Sequence, residues 1–238
     1  MKHQYAGDIN DYRKYGLLRC IGSVLGGRML VAWMLTPDDG TRDGGLRGYL
    51  GAPAVWRRYD PGLYDLLRGL YGNRRRPRLR HIEASEVLPG ASYYARRIPD
   101  GMGEREAWRR GLVRAAQGTD LVFLDPDTGI QIPSRPPGRR GFSAYAAWDD
   151  IQAVWEAGCS VLVYQHFGRT SRGPLIRRLT EELRRRTGAP FASAFSTPRV
   201  LFLLATQERH AEALKGLAPL IARRWGDQIR CVGAGRTG

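Results

Sequence analysis

Thr119-Asp120-Leu121-Val122-Phe123-Leu124-Asp125-Pro126-Asp127-Thr128-Gly129-Ile130 is the stretch that decides how this chain folds. Its continuous apolar run, 121–124, reads as a strand buried on both faces, and it breaks at once into an acidic turn containing proline and glycine. In open α/β sheets, ligands bind at such strand ends. Pro126 fixes φ and donates no hydrogen bond, Gly129 permits positive φ, and Asp125 and Asp127 arrive together at the carboxyl edge of the sheet. A lone Asp-Pro reads as the start of a tight turn. A buried strand that delivers two carboxylates into one turn reads at least as well as a site.

Working outward, Gly118 ends an amphipathic helix over 104–117, and the Pro-, Arg- and Gly-rich residues that follow the turn predict a mobile loop at 131–142 over the site. A helix over 143–157 leads into a third buried strand, 160–167, with the polar and aromatic exit Gln165-His166-Phe167. Upstream, 8–25 carries Tyr12, Tyr15, Leu18, Ile21 and Leu25 near one helical stripe, with Asp8 or Asn10 as N-cap and Gly26-Gly27 as the stop. Residues 28–35 form a buried strand that exits through Thr36-Pro37-Asp38-Asp39-Gly40. A helix after Pro61 turns Leu63, Leu66, Leu67 and Leu70 inward, Arg74 to Arg80 is a solvated loop, and short strands are expected at 79–84 and, more weakly, 93–98. A basic helix (174–187), two strands (191–195 and 199–206), a helix (208–225) and a last strand (228–232) complete the chain. This alternation predicts a single α/β domain over 1–238 with a helical N-terminal extension of about 27 residues. The sheet should be doubly wound and mostly parallel, with helices on both faces and antiparallel pairing near the C-terminus.

With 238 residues and 42% hydrophobic content the chain can bury one large core. No apolar run approaches the ~20 residues that cross a bilayer, and the first residues lack a signal-peptide apolar region, so a soluble cytoplasmic protein without membrane contact is expected. Three scattered cysteines, Cys20, Cys159 and Cys231, indicate neither a disulfide framework nor a zinc cluster. The six tryptophans fall mostly at core positions, and His3, His81 and His210 have no partner suggested by spacing. A net charge of +15 and a pI near 10.4 point to a polyanion, RNA or DNA, as partner. Because nearly all of this charge is arginine, the clusters Arg74-Arg75-Arg76, Arg139-Arg140 and Arg184-Arg185-Arg186 carry more weight than the total.

Three strand exits are unusually polar: Thr36, Asp38 and Asp39 with Gly40 after the first buried strand, Asp125 and Asp127 after the next, and Gln165 and His166 after the third. In a doubly wound sheet these can converge on one crevice. Taken singly, each has an ordinary reading as turn former or strand terminus. Glu83, near the end of the strand expected at 79–84, can hold a ribose hydroxyl pair or stand on the surface.

Tyr5-Ala6-Gly7-Asp8-Ile9-Asn10-Asp11-Tyr12-Arg13-Lys14 resembles the N-terminal signature of the bacterial large-subunit rRNA adenine methyltransferases, matching it at Ala6, Gly7, Asp11 and Lys14. Asp125-Pro126 stands where that family has its Asp-Pro-Pro-Tyr catalytic turn. The chain is also similar to the partner proteins of three-cysteine-motif systems in its Lys-bearing helix and Asp-Pro strand exit. The resemblance implies a Rossmann-like methyltransferase fold and S-adenosylmethionine as cofactor. It also implies Asp125 as the residue that orients a base amine, Pro126 as its rigid neighbour, and Lys14 near the substrate. Two departures stand out. Asp127 and Thr128 replace the second proline and the aromatic, leaving Tyr164 or Phe167 to stack on a base, and the first strand ends without the Gly-x-Gly turn that lets a donor approach the backbone.

Two other readings compete with methyl transfer. Asp38, Asp39, Asp125, Asp127 and His166 could surround magnesium or manganese in a phosphoesterase or nuclease, although no known metal spacing is matched. Alternatively, the chain could be a non-catalytic descendant that binds nucleic acid or protein through its arginines.

Overall fold

The run 121–124 is a fully buried strand near the middle of the sheet in the computed structural model, which describes residues 1–38, 40, 45–72, 78–168 and 171–233. In chain order come helix α1 (Ile9–Leu25), strand β1 (Met29–Ala32), helices α2 (Pro53–Trp56), α3 (Pro61–Tyr71) and the single turn α4 (Arg80–Glu83). Next are β2 (Ala91–Tyr94), α5 (Met102–Ala116), β3 (Leu121–Leu124) and the short strands β4 (Gly129–Ile130) and β5 (Tyr145–Ala146). Then follow α6 (Trp148–Glu156), β6 (Ser160–His166), α7 (Arg172–Thr187), β7 (Phe191–Ser196) and β8 (Val200–Thr206). The last elements are α8 (Ala211–Leu214), α9 (Leu217–Trp225) and β9 (Arg230–Gly233).

The main sheet has seven strands in the order β2-β1-β3-β6-β8-β7-β9. Its first four are parallel, and β8, β7 and β9 are joined by antiparallel pairing, as the C-terminal pattern predicts. The chain moves outward from β1 to β2 and then crosses back to β3 and β6. The strand order therefore reverses between β1 and β3, and this places a crevice beyond their carboxyl ends.

Side chains alternate between the two faces at period two. Leu121, Phe123, Leu162, Phe202 and Leu204 enter one core with α1, α3 and α9; Val122, Leu124, Val161, Val163 and Leu203 enter the other with α5, α6 and α7. Burial on both faces is why these strands read as unbroken apolar runs. The fold is thus α/β and Rossmann-like. Among the described residues no helix is long and apolar enough to cross a membrane.

Helix α1 is buried on nearly every side, including the polar Asp11, Arg13 and Lys14, and packs as a layer of the fold. Asp8 caps it by accepting from the amides of Asn10 and Asp11, and Gly26 at φ 61 ends it. Gly16 lets it approach α9, because a Cβ there would lie 2.2 Å from the fully buried Trp225 ring. Gly16→Ala is therefore expected to cost about 1–3 kcal/mol of stability in urea unfolding, against the ordinary helix preference for alanine.

The second strand differs from expectation. Residues 80–83 form the turn α4, in which Ile82 is buried together with Leu79 just before it, at a spacing of three, and the strand beside β1 starts only at Ala91, after Gly90 at φ 70. The strand expected over 28–35 stops at Ala32. Met34 adopts φ 47, and Leu35 pairs with Arg97 only as an isolated bridge. The segment 131–142 leans toward α5: Asp100 accepts from the amides of Gly141 and Ser143, and a Cβ on Gly138 would touch Met102.

Candidate functional site

At the carboxyl ends of β3 and β6 lies a cavity of ≈ 560 Å³, and Lys14, Asp125, Pro126, Asp127 and His166 all line it. Residues from the N-terminal segment and α1 close one side, Tyr5, Asp8, Asn10 and Asp11 among them, while Tyr164 and Arg199 close the other. Nothing from 128–142 reaches it.

The centre of the site is Lys14. Its Nζ lies 2.7 Å from Asp11 Oδ1 and 2.7 Å from Asp125 Oδ2, and the rings of Tyr15, Trp33 and Tyr164 surround it at 5.6 to 5.8 Å. Burial works against its charge, but the two carboxylates outweigh burial and hold the ammonium above its usual range. Burial pushes Asp125 up, against the pull of Lys14 and the Met1 amine. Asp11 also accepts from the Gly7 amide and the Tyr15 hydroxyl. Gly7 sits at φ 80, where a Cβ would lie 2.4 Å from the Tyr71 ring, so the Ala-Gly element is a steric requirement of this corner.

Asp127 pairs with Lys2 at 2.8 Å. The His166 ring packs edge-on against Tyr164; burial holds its pKa below the usual value, with Asp127 opposing. Tyr164 lines the cavity, its ring packed against the Lys14 ammonium, His166 and Phe202, whereas Phe167 lies under the Arg172 guanidinium. Arg199 comes from the β7–β8 turn, which Thr197 ties by accepting from the amides of Arg199 and Val200.

Asp8 is pushed up from 3.8 to about 7, chiefly by burial and then by the neighbouring Asp11. The folded chain therefore keeps a proton that the unfolded chain releases near pH 4, and stability from this group falls as pH rises from about 4 toward 7. The Met1 amine, lowered by burial from 8.0 to about 6, acts in the opposite direction between those values. Asp8→Asn keeps an acceptor for the helix cap and cannot ionise. Urea unfolding at pH 5 and pH 7.5 is expected to show a smaller loss of stability in the variant than in the wild type, and an equal loss would rule out this titration.

The residues expected to hold a cofactor do not line this cavity. Thr36 is buried, and both its amide and its hydroxyl donate to the Met1 carbonyl. Asp38 accepts from the Gln4 amide and pairs with Arg78. Gly40 has φ 73, with no atom of another described residue within 4 Å of a Cβ placed on it, and Asp39 lies outside the described residues. Glu83 stands on α4 and accepts from the Trp33 indole at 2.8 Å. The Met1 amine donates to the carbonyls of Met34 and Asp125, at 3.1 Å each, so Met1 spans the crevice between the ends of β1 and β3. As arranged, these residues do not fit S-adenosylmethionine: the backbone beyond β1 is covered by Met1, and Glu83 is engaged by an indole.

Metal ligation fares no better. Among the described residues no three His, Cys, Asp or Glu side chains come together as metal ligands, and Asp38, Asp125 and Asp127 each face a cation of the chain. What the cavity offers is carboxylate acceptors, an aromatic wall and a guanidinium at its edge. That set can accept from an amine and can face an anion.

Asp8 and Arg199 were not legible as site residues. Asp8 reads as an ordinary N-cap, and Arg199 comes from a turn with no motif of its own. His210, for which spacing suggests no partner, meets Ser160 Oγ at 2.8 Å and Asp120 at 3.3 Å. This is the residue set of a nucleophilic triad, but Ser160 is fully buried and its hydroxyl accepts from the Gln207 amide, so the contact ties β6 to the segment after β8. Of the arginine clusters, 184–186 is exposed at the end of α7, with Arg185 and Arg186 paired to Glu182, and Arg74 to Arg76 lie outside the described residues. Comparison with known proteins finds no matching family model, no matching curated protein and no matching solved structure.

Proposed function

We propose that this chain is a methyltransferase-like protein whose cavity binds a nucleic-acid base, and that its work is recognition of RNA or DNA in the cytoplasm. The observation that carries this reading is the division of the site. The residues expected on the substrate side converge on one cavity, while the crevice expected to take the donor is spanned by Met1. A cavity of ≈ 560 Å³ lies within the ~300–1,000 Å³ of small-molecule sites. Carboxylates at its wall are acceptors for an exocyclic amine, Tyr164 lines it with an aromatic ring, and Arg199 suits a phosphate. The net charge of +15 favours a polyanion.

Methyl transfer to a base amine is the second reading, favoured by Lys14 and Asp125-Pro126 meeting in one cavity as the family resemblance implies. It requires Met1 to leave the crevice. Titration calorimetry separates these readings from metal-dependent phosphodiester cleavage. Adenosine monophosphate is expected to saturate the protein at micromolar to millimolar concentration, while S-adenosylmethionine, magnesium and manganese give no saturable heat. Saturable binding of S-adenosylmethionine would replace recognition by transfer, and saturation by manganese would favour the metal reading.

A further inference from the structure

At the opposite, amino-terminal edge of the sheet lies a larger groove of ≈ 740 Å³, between α1, the end of α9 and the starts of β1 and β2. Four guanidinium groups line it, those of Arg19, Arg58, Arg223 and Arg224, against the single carboxylate of Asp60. Two of the four are committed. Arg19 donates to Asp60 and to the carbonyls of Glu86 and Val87, and Arg58 donates to Asp227 and the Tyr59 hydroxyl. Arg223 and Arg224 are exposed in the last turn of α9 and form no ion pair among the described residues; Arg224 stands beside the Cys20 thiol. Either alone would be an ordinary helix-end charge. Together with Arg19 and Arg58 they line one concave surface, where excess charge of one sign concentrates the field.

The lining is mixed: Ser23, Tyr59 and Asp60 stand in it beside an apolar part made of Met29 and Leu88, both nearly buried, and the exposed Pro89. A wholly polar anion such as free sulfate would leave that apolar part in contact with water. A ligand with both a phosphate and a flat, weakly polar body would cover it. Guanidinium forks match phosphate oxygens in pairs, and the volume suits a molecule of nucleotide size.

We infer that this groove is a second binding site, for a nucleotide whose phosphate lies between Arg223 and Arg224 and whose base rests on the Met29–Pro89 surface. The nucleotide is either free or part of a single strand. This site is separate from the cavity beside Asp125 and does not depend on the function proposed for that cavity.

The chain has four methionines, and two of them report the two sites: Met29 lines the groove and Met1 lines the cavity. Protein labelled with ¹³C at the methionine methyls is titrated with adenosine diphosphate and, separately, with an eight-nucleotide single strand. At least one is expected to shift the Met29 resonance saturably, and which of them does so identifies the source of the nucleotide. In the variant R223Q/R224Q, changed only at exposed positions, the apparent dissociation constant read from Met29 is expected to rise at least tenfold. If neither ligand moves Met29, or if the shift persists at equal affinity in the double variant, the inference is overturned. A failure at Met1 alone bears only on the cavity.

Discussion

Lys14→Met is expected to remove about 3–5 kcal/mol of folding stability in urea unfolding at neutral pH. The substitution preserves much of the side-chain volume, so packing is not the cause. The ammonium stands 2.7 Å from Asp11 and from Asp125, all three side chains are at most 3% exposed, and removing the cation leaves two carboxylates buried together without a counter-charge. The variant should recover stability as pH falls, because protonating a carboxylate relieves the repulsion. Binding of adenosine monophosphate should weaken with it, since Asp125 and Asp11 also form the cavity wall. A loss below about 1 kcal/mol, typical of an exposed pair, would mean that the network is solvated.

Asp150→Ala should cost a similar amount, about 3–5 kcal/mol, and leave the cavity alone. Asp150 is fully buried and receives the guanidinium groups of Arg105 and Arg109; it also accepts from the Ala147 amide at the start of α6. Arg105, itself 3% exposed, additionally donates to the Tyr145 carbonyl and so holds β5. Without Asp150 a buried arginine loses its counter-ion and a helix loses its cap. These residues lie on the sheet face covered by α5 and α6, so nucleotide affinity of the folded variant should match that of the wild type. The pair of variants thus separates loss of stability from loss of the site; weaker nucleotide binding in Asp150→Ala would show that the two faces are coupled.

The central strands were legible because burial on both faces leaves an unbroken apolar run, as in Val122 to Leu124 and Val161 to Val163. The edge strand β2 was legible only in part: the weak strand expected at 93–98 overlaps it at Tyr93 and Tyr94, but β2 pairs only with β1, its residues Ala91 to Tyr93 are partly or fully exposed, and the sequence Ala-Ser-Tyr-Tyr carries no such run. The more apolar Leu79 and Ile82 drew the reading to a segment that folds as a helical turn. Asp125 and Lys14 were each legible, one from its strand exit and the other from its family resemblance, but their contact across 111 positions was not. The Arg105–Asp150 pair was invisible for the same reason, since a charged residue on a helix reads as solvated until the fold supplies its partner. Asp38 and Glu83 show the converse. Polar residues near strand ends suggest a ligand, and here an arginine and an indole of the chain itself occupy them.

The methyl resonances of Met1 and Met34, which sit at the cavity and just beyond β1, distinguish a base-binding cavity from an open donor crevice when two ligands are added separately. Adenosine monophosphate should shift Met1 saturably, while S-adenosylmethionine at the same concentration leaves both resonances in place. A saturable shift of Met1 and Met34 with S-adenosylmethionine, and none with the nucleotide, would contradict a base-binding cavity beside a closed donor crevice.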